Sequence, residues 1–279
     1  MANFTLMLAP IEDMTSNAFR TICNKYGADL TFTELVRFGG LAKNNKLTWQ
    51  RIILKDQTPT IIQLIGHKEI FLKKFLSMFE KQPGFKGFNL NLGCPAPNFI
   101  NNGIGCAMIK RISKTKKLVN IIKDKGYPVS IKIRLGMNKF EKEKKAYLNL
   151  INAVDADFFV VHARHGKQTY ADPADFAIYE ECVKTGKKII ANGDIKTGEQ
   201  INFLKSIGVK GAMIGRVAIL DPSLFNKLKG ISSPPLKTIF KEYVDLANKF
   251  DEPFRYRKNI LKHNVKNISE ETSYNDAEL

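Results

Sequence analysis

The sequence predicts an α/β fold, a (β/α)8 TIM barrel with a short C-terminal helical domain. The chain has 279 residues, and a single α/β barrel commonly uses about 250. Eight short runs rich in β-branched and aromatic residues recur along it, and segments with helical periodicity lie between them. Eight alternating units favour a closed barrel over a doubly wound open sheet, because the open sheet does not require eight strands at this regular spacing.

The predicted strands begin between 23 and 42 residues apart, which is the repeat length of a strand followed by a helix. They cover residues 5–8, 30–33, 61–65, 87–91, 129–133, 158–162, 188–191 and 211–214.

Helices are predicted between the strands from apolar periodicity and from start and stop residues. Thr15 or Ser16 is expected to cap the first helix, which Gly27 ends. Ser113 is expected to cap a later helix that runs to Lys125. The other predicted helices between strands cover residues 68–80, 140–153, 173–184 and 197–206.

A domain boundary is predicted at the serine- and proline-containing stretch 232–235. It divides the chain into a barrel domain, residues 1–230, and a helical appendage, residues 231–279. Within the appendage, apolar spacing predicts helices over 238–250 and 254–266, and a polar C-terminal tail is expected to fray.

Composition excludes several classes of protein. Hydrophobic residues make up 44% and charged residues 25%, which excludes disordered and fibrous chains. No apolar run approaches the roughly 18 residues of a membrane span, and the N-terminus has no signal-peptide layout. The cysteines are too far apart for zinc or redox CxxC motifs and argue against a disulfide scaffold; they are Cys23, Cys94, Cys106 and Cys182. A cytoplasmic protein without a bound metal is expected.

The net charge of +17 indicates a polyanionic partner. Residues 230–279 hold 8 basic and 8 acidic residues, so the whole excess lies in residues 1–229. A folded body this basic favours nucleic acid as the partner. The alternative is that the lysines only solvate the outer faces of helices.

Polar residues of chemical interest follow nearly every predicted strand. In a (β/α)8 barrel the carboxyl ends of all strands meet at one rim, where active sites lie. This concentration predicts an enzyme. Along the chain, the residues are Ala9, Pro10, Glu34, Gln63, Asn91, Cys94, Lys132, Arg134, His162, Arg164, Asn192, Gly193, Asp194, Gly215 and Arg216.

Four of these positions have alternative interpretations. The glycines after the last two strands are typical of a phosphate site in barrels, or they only form turns. Lys132 lies within an apolar strand, which favours a cofactor contact; the alternative is a pair with Glu34 across the barrel mouth. His162 is either a cofactor contact or a core histidine.

Cys94 is the sharpest candidate for catalysis. It follows a strand and precedes a polar, glycine-rich loop, which does not suit a buried structural cysteine. A thiol with a pKa near about 8.5 stays mostly protonated at neutral pH. Cys94 is therefore a candidate general acid, or a nucleophile if activated, and Cys106 is the nearby alternative.

Eight motifs in this order resemble those of the tRNA-dihydrouridine synthases, and together they are highly specific. They are A-P at 9–10, T-E-L-V at 33–36, Q-L-I-G at 63–66, N-L-G-C-P at 91–95, K-I-R-L-G at 132–136, H-A-R at 162–164, N-G-D-I at 192–195 and I-G-R at 214–216.

The resemblance implies an FMN enzyme that reduces the C5=C6 bond of uridine in tRNA with NADPH as electron donor. A hydride passes from flavin N5 to uracil C6, and the matching cysteine, Cys94, protonates C5 from the other face of the ring. The remaining roles are also implied by the resemblance: Ala9, Pro10, Gln63, Lys132 and His162 at the flavin ring, Asn192, Gly193, Asp194, Gly215 and Arg216 at the ribityl chain and phosphate, and Asn91, Arg134 and Arg164 at the target uridine and its phosphates.

The resemblance also implies that residues 1–230 bind FMN and that residues 231–279 bind RNA. A ribosomal RNA target remains open, and a monomer is expected. Two other functions are weighed. One is an FMN barrel acting on a free pyrimidine, like dihydroorotate dehydrogenase, which the basic body, Arg134 and Arg164 disfavour. The other is an RNA-binding protein without catalytic activity.

Overall fold

The structure is a computed structural model that describes residues 4–264. Its nine strands pair in parallel throughout. They are Thr5–Leu8 (β1), Thr31–Phe32 (β2), Val36–Arg37 (β3), Thr60–Ile65 (β4), Phe85–Leu92 (β5), Val129–Ile133 (β6), Phe159–His162 (β7), Ile189–Asn192 (β8) and Gly211–Ile214 (β9).

The strands form a ring, which confirms the predicted barrel. Their order is β1-β9-β8-β7-β6-β5-β4-β2. A parallel bridge between Met7 and Leu30 brings the chain before β2 back to β1, and the Leu8 amide donates to the Leu30 carbonyl at 2.9 Å. Each predicted strand is present. The second is shorter than predicted, and an additional strand that was not predicted, β3, also pairs with β4.

Fourteen α-helices and one 3-10 helix, Gly105–Met108, lie in the part of the chain that the structure describes. The α-helices are Asn17–Lys25 (α1), Phe38–Ala42 (α2), Lys46–Gln50 (α3), Glu69–Met78 (α4), Pro97–Ile100 (α5), Ile112–Lys123 (α6), Lys139–Glu143 (α7), Ala146–Ala153 (α8), Ile178–Val183 (α9), Gly198–Ser206 (α10), Arg216–Leu220 (α11), Leu224–Leu228 (α12), Leu236–Lys249 (α13) and Phe254–Lys262 (α14).

The helix starts were predicted with mixed success. Ser16 caps α1, where its hydroxyl accepts from the Phe19 amide. Ser113 is not a cap, because α6 begins one residue before it, at Ile112, and its N-cap Arg111 makes no side-chain capping bond. The helix predicted over 140–153 is two helices, since Lys145 between them has a φ of 53°.

The helix predicted over 173–184 was wrong at its start, because α9 begins at Ile178. The backbone before it is held in a loop instead. The Ala174 amide donates to the Asp194 carboxylate at 3.1 Å, and the Asp175 amide donates to the Ala163 carbonyl at 2.9 Å.

Apolar side chains pack on both faces of the strand ring. In β1, Leu6 and Leu8 belong to the large cluster between strands and helices, whereas Met7 belongs to a smaller separate cluster. The alternation follows from the two-residue period of a strand. The smaller cluster fills the barrel interior; it comprises Met7, Ala9, Phe32, Ile61, Val160, Ile190 and Met213. Polar side chains occupy the strand ends beyond it.

Helices α13 and α14 correspond to the two helices predicted in the appendage. The Tyr243 ring on α13 packs edge-on against Phe19 of α1, with centroids 6.1 Å apart, and the Ala18 amide donates to Glu252 at 2.7 Å.

The predicted helix end at 265–266 and the polar tail lie outside the described residues. The domain boundary after residue 230 stays a prediction. Within residues 4–264, no helix is long and apolar enough to cross a membrane.

Candidate active site

A cavity of about 740 Å³ opens at the carboxyl ends of the strands. Seven of the predicted site residues line it: Pro10, Gln63, Asn91, Cys94, Lys132, Arg134 and His162. The other predicted residues do not line it, but several contact those that do. Sequence reasoning therefore located the cavity, because parallel strands bring their carboxyl ends to one rim.

A chain of side-chain amides connects β4 and β5 under the cavity. Gln63 donates to Asn89 at 2.8 Å, and Asn91 donates to Gln63 at 2.9 Å. Asn89 in turn donates to the Ser130 hydroxyl at 2.8 Å. Because Gln63 and Asn89 are buried, these bonds satisfy polar groups that are costly to leave unpaired.

Asn91 also fixes the loop that carries Cys94. Its side-chain oxygen accepts from the Gly93 amide at 3.0 Å and from the Cys94 amide at 2.9 Å. The Cys94 carbonyl accepts from the Cys106 amide at 2.9 Å. The predicted substrate-binding Asn91 thus holds the cysteine loop, with only one amide hydrogen left for a ligand.

Cys94 is half-buried at the cavity wall. Burial raises the pKa of its thiol, although a backbone hydrogen bond from Ala96 and the nearby Arg134 and Lys132 act in the opposite direction. The alternative, Cys106, is fully buried, lies outside the cavity lining, and donates to the Gly136 carbonyl at 3.2 Å. Burial raises the pKa of Cys106 to about 12. Cys94 is therefore the thiol that can meet a ligand in this cavity.

Lys132 projects into the cavity from β6. Its ammonium donates to the side-chain oxygen of Asn192 at 2.8 Å. Burial, and next the positive charge of Arg134, lower the pKa of Lys132 to about 7. The alternative pairing with Glu34 was wrong: Glu34 accepts from the Tyr256 hydroxyl of α14 at 2.7 Å instead.

His162 is neutral in this site. Burial and the neighbouring Lys132 and Arg134 lower its pKa to about 2. Its ring lies 3.2 Å from the Arg164 guanidinium, so Nε2 is the acceptor in this pair and Nδ1 carries the proton. His162 is both buried and part of the cavity wall.

Asp194 binds two arginines of the predicted site. Its carboxylate accepts from Arg164, which is 1% exposed in its side chain, and lies 3.3 Å from Arg216, which is 51% exposed. Arg164 also donates to the Asp172 carbonyl at 2.7 Å. Arg164 is thus enclosed by protein groups, whereas Arg216 is open to a ligand.

Arg134 holds the loop that follows β7. Its guanidinium donates to the carbonyls of His165 at 2.9 Å and Gln168 at 3.1 Å. It also lines the cavity. This arginine therefore connects the cavity wall to the backbone of a loop that ends beside the site.

Tyr170 is the main site residue that sequence reasoning missed. It lines the cavity, and its ring stacks against His162 with centroids 6.3 Å apart. The Arg216 guanidinium lies 3.8 Å from the same ring. The signal in the sequence that could have identified Tyr170 is an aromatic residue within a polar loop that follows a strand. The other cavity residues not predicted include Glu12, Arg37, Arg51 and Phe99.

Comparison with known proteins identifies the family. A model of the dihydrouridine synthase family matches residues 7–277. The chain belongs to the dihydrouridine synthase family. It is 30% identical over 232 residues to a probable tRNA-dihydrouridine synthase of Aquifex aeolicus, which covers 80% of this chain and 72% of that protein. It is 30% identical over 261 residues to a probable tRNA-dihydrouridine synthase 2 of Bacillus subtilis, covering 88% and 79%.

Two further similarities concern a longer protein and a solved structure. This dihydrouridine synthase is 29% identical over 231 residues to a human tRNA-dihydrouridine(47) synthase-like protein, covering 80% of this chain and 35% of the human one. Its fold resembles that of morphinone reductase, with a TM-score of 0.54 at 12% identity, covering 85% of this chain and 88% of the other. Family membership makes the chain a flavin-dependent oxidoreductase.

The residues of the cavity suit a flavin. Lys132 is a partly buried amine whose hydrogen-bond partner is an uncharged amide, so an anionic ligand would stabilise its charged form. The cavity is lined by four cationic side chains and one carboxylate, Glu12, which already pairs with Arg51 at 2.6 Å. This charge balance fits the negatively charged reduced ring of a flavin.

Proposed function

We propose that this dihydrouridine synthase reduces the C5=C6 bond of uridine in tRNA, with FMN as its flavin and NADPH as the electron donor. The observation that carries the proposal is a single cavity lined by both Cys94 and Lys132 at the strand ends. The first is a protonated thiol and the second a cation without a carboxylate partner in the described residues. Family membership supplies the reaction class, and these two groups are the ones that reaction needs.

The flavin supplies hydride chemistry when bound. Lys132 and neutral His162 would lie at its ring, where a nearby cation stabilises developing negative charge. Arg216 and the glycine-containing turn 192–194 would hold its phosphate, because an arginine fork and backbone N–H groups suit phosphate oxygens. Ala9, Pro10, Gln63 and Gly215 complete the proposed flavin contacts.

Cys94 would donate the proton to uracil C5. Its raised pKa keeps the thiol protonated at neutral pH, which is the state a general acid requires. Asn91 would act on the uridine through its remaining amide hydrogen and through the loop it holds. Arg134 and Arg164 would support the substrate mainly by fixing loop 165–172, since their donors bind its carbonyls.

The tRNA substrate accounts for the charge of the chain. A net charge of +17 favours binding to phosphates. The free energy of these phosphate contacts would offset the cost, about a few kcal/mol, of moving a base out of its stack.

We also propose that residues 231–279 contact the RNA. Helix α14 supports this, since it carries four basic residues and no acidic one. A tRNA substrate further implies a cytoplasmic enzyme; the monomeric state and the absence of a metal stay predictions.

The test is reduction of tRNA by the purified protein. A yellow preparation with absorbance near ~450 nm indicates a bound flavin, and mass spectrometry of the released group identifies FMN. With NADPH and an unmodified tRNA transcript, dihydrouridine is expected in the RNA. Mapping dihydrouridine in tRNA and rRNA from cells lacking the gene identifies the natural target.

Two controls separate the proposal from other functions. Orotate and ribosomal RNA replace tRNA in parallel reactions with the same enzyme and NADPH. Turnover of orotate but not of RNA would reassign the protein to free pyrimidines, and turnover of rRNA alone would correct the RNA class. A colourless protein that binds RNA without turnover would contradict an enzymatic function.

A further inference from the structure

A second cavity of about 320 Å³ lies beside the active-site cavity. Arg37 lines both cavities, so they share a wall. The second cavity is formed by helix α2, by the loop that precedes α4, and by residues 102 and 104 from the segment that follows the Cys94 loop. None of the roles proposed above uses it.

Three exposed cations surround this cavity: Arg37, Lys43 and Lys68. Among residues 4–264, none of the three has a carboxylate within ion-pair distance. The adjacent acidic residue, Glu69, lies 4.0 Å from Lys117. The cavity therefore carries positive charge that no neighbouring carboxylate neutralises.

The floor of the cavity is apolar and contains an aromatic ring. Phe38, Ile65 and Ile104 are buried, whereas Phe71 is only partly buried. The ammonium groups of Lys43 and Lys68 lie 5.8 Å and 5.5 Å from the centroid of the Phe71 ring. An aromatic ring flanked by cations that have no carboxylate partner suits a nucleotide, because a base can stack on the ring while its phosphate meets the cations.

The size of the cavity limits what it can hold. A volume of about 320 Å³ lies at the lower end of the range of about 300–1,000 Å³ that is typical of small-ligand sites. It admits one nucleotide and excludes a duplex. Because Arg37 also lines the active-site cavity, a nucleotide held here would be next to the one in the active site.

We propose that the second cavity binds a single-stranded nucleotide of the RNA substrate adjacent to the uridine that is reduced. Phe71 stacks on its base, and Arg37, Lys43 and Lys68 contact its phosphates. The inference rests on the proposed function, since the occupant is part of the same RNA. The cavity thereby helps to hold the RNA strand open beside the active site.

The test compares two double variants of the full-length, flavin-loaded enzyme. Lys43→Ala with Lys68→Ala removes two cations from the cavity. Lys86→Ala with Lys125→Ala removes two exposed lysines that lie near the amino ends of β5 and β6, on the opposite face of the barrel. The Kd for an unmodified tRNA transcript is measured at several salt concentrations. The KM for NADPH is measured without RNA, with dissolved dioxygen as the electron acceptor, and formation of dihydrouridine is measured in the wild type.

The cavity variant is expected to bind tRNA about 10-fold more weakly, and its salt slope should fall by about 0.7 for each lost phosphate contact. The control variant should stay within about 2-fold of the wild type, because its two lysines line neither cavity and lie near the amino ends of the strands. The KM for NADPH should not change in either variant. Phe71→Ala should also weaken RNA binding, while Phe71→Trp, which keeps a stacking face, should retain it; flavin content and thermal midpoint verify that both fold.

Each contrary result has a distinct meaning. If the cavity variant and its control bind tRNA equally well, the inference is wrong, and the proposed function stands as long as the wild type forms dihydrouridine. If the cavity variant alone loses affinity but the wild type reduces no uridine, the proposed function is wrong and the RNA site stands. A raised KM for NADPH with unchanged RNA affinity would assign the cavity to the electron donor and overturn the inference.

Discussion

At the scale of the residue, Cys94 and Cys106 differ in what their thiols can contact, because they occupy different positions within one short segment. Both pKa values are raised by burial, yet only Cys94 lines the active-site cavity. Cys106 is committed to the Gly136 carbonyl. The same residue type therefore serves a different purpose twelve positions along the chain.

Replacement of Cys94 by Ala should remove the general acid while leaving the cavity intact. Because general acids typically contribute about 10²–10⁴-fold to a rate, single-turnover reduction of uridine should fall by that factor. Flavin retention and RNA affinity should be unchanged. Cys106→Ala is the matched control and should retain most of the rate; an unchanged rate in Cys94→Ala would assign the proton to another donor.

Lys132 predicts how the stability of the flavin-free protein depends on pH. Its pKa is lowered to about 7 in the folded state, so between pH 7 and about 10.4 the unfolded chain binds more protons at this site. The free energy of unfolding should therefore rise with pH across that window. In Lys132→Met this contribution disappears.

The measurement is the thermal midpoint of flavin-free wild type and Lys132→Met at pH 7 and pH 9. The gain from pH 7 to pH 9 should be larger in the wild type, by about 2–4 °C for each kcal/mol that Lys132 contributes. Lys132→Met should also be the more stable of the two at pH 7 and should reduce uridine more slowly. Equal gains in both proteins would mean that burial does not lower the pKa of Lys132.

Sequence reasoning identified these residues but not what most of them bind. Lys132, His162 and Cys94 could be assigned to one rim because they follow strands of a predicted barrel. The ion pair between Arg164 and Asp194 could not be predicted. The two residues lie 30 positions apart in the sequence, and the pair depends on how their two loops meet in the fold. The position of Tyr170 could not be predicted either, because its loop is fixed by hydrogen bonds that Arg134 donates to two loop carbonyls.

At the scale of the element, regular periodicity was predictive and interruptions were not. Strand β6 has the predicted bounds because a β-branched residue stands at every second position along it. The additional strand β3 depends on pairing with β4, and the break at Lys145 depends on a left-handed backbone conformation. Neither leaves a signal in the local sequence, since lysine is not a residue that favours this conformation.

Helix α10 offers a test that separates stability from function. Thr197 and Gln200 form a capping box at its start, and Gln200 also donates to the Asp194 carbonyl at 3.0 Å. Thr197→Ala should lower the free energy of unfolding by about 1 kcal/mol through loss of the cap. Gln200→Ala should lower it similarly and also loosen the Asp194 turn.

The two variants are compared by thermal melts and by flavin dissociation. Thr197→Ala should keep the wild-type affinity for flavin, whereas Gln200→Ala should release flavin faster, because Asp194 holds Arg216 near the proposed phosphate site. Equal flavin affinity in both variants would show that the Asp194 turn does not depend on the helix start.

At the scale of the whole molecule, the distribution of charge separates the barrel from the C-terminal segment. Residues 1–229 carry the entire excess of +17, and residues 230–279 are balanced. Helix α14 is nevertheless locally basic, with Arg255, Arg257, Lys258 and Lys262, and its Tyr256 reaches the barrel mouth through Glu34. Positive charge thus extends from the barrel onto the helix that adjoins the active-site entrance.

This distribution predicts that tRNA binding depends strongly on salt. Each phosphate contacted by a lysine or arginine of the enzyme releases counterions, and a complex that neutralises about four phosphates loses about 50-fold in affinity when salt rises fourfold. We expect a loss of at least this size for the full chain between 50 mM and 200 mM salt, measured as the Kd for an unmodified tRNA transcript. Cys94→Ala should show the same dependence, because the thiol carries no charge at neutral pH. A salt-independent Kd would mean that the lysines of the barrel only solvate its helices, and RNA binding would then have to come from uncharged contacts.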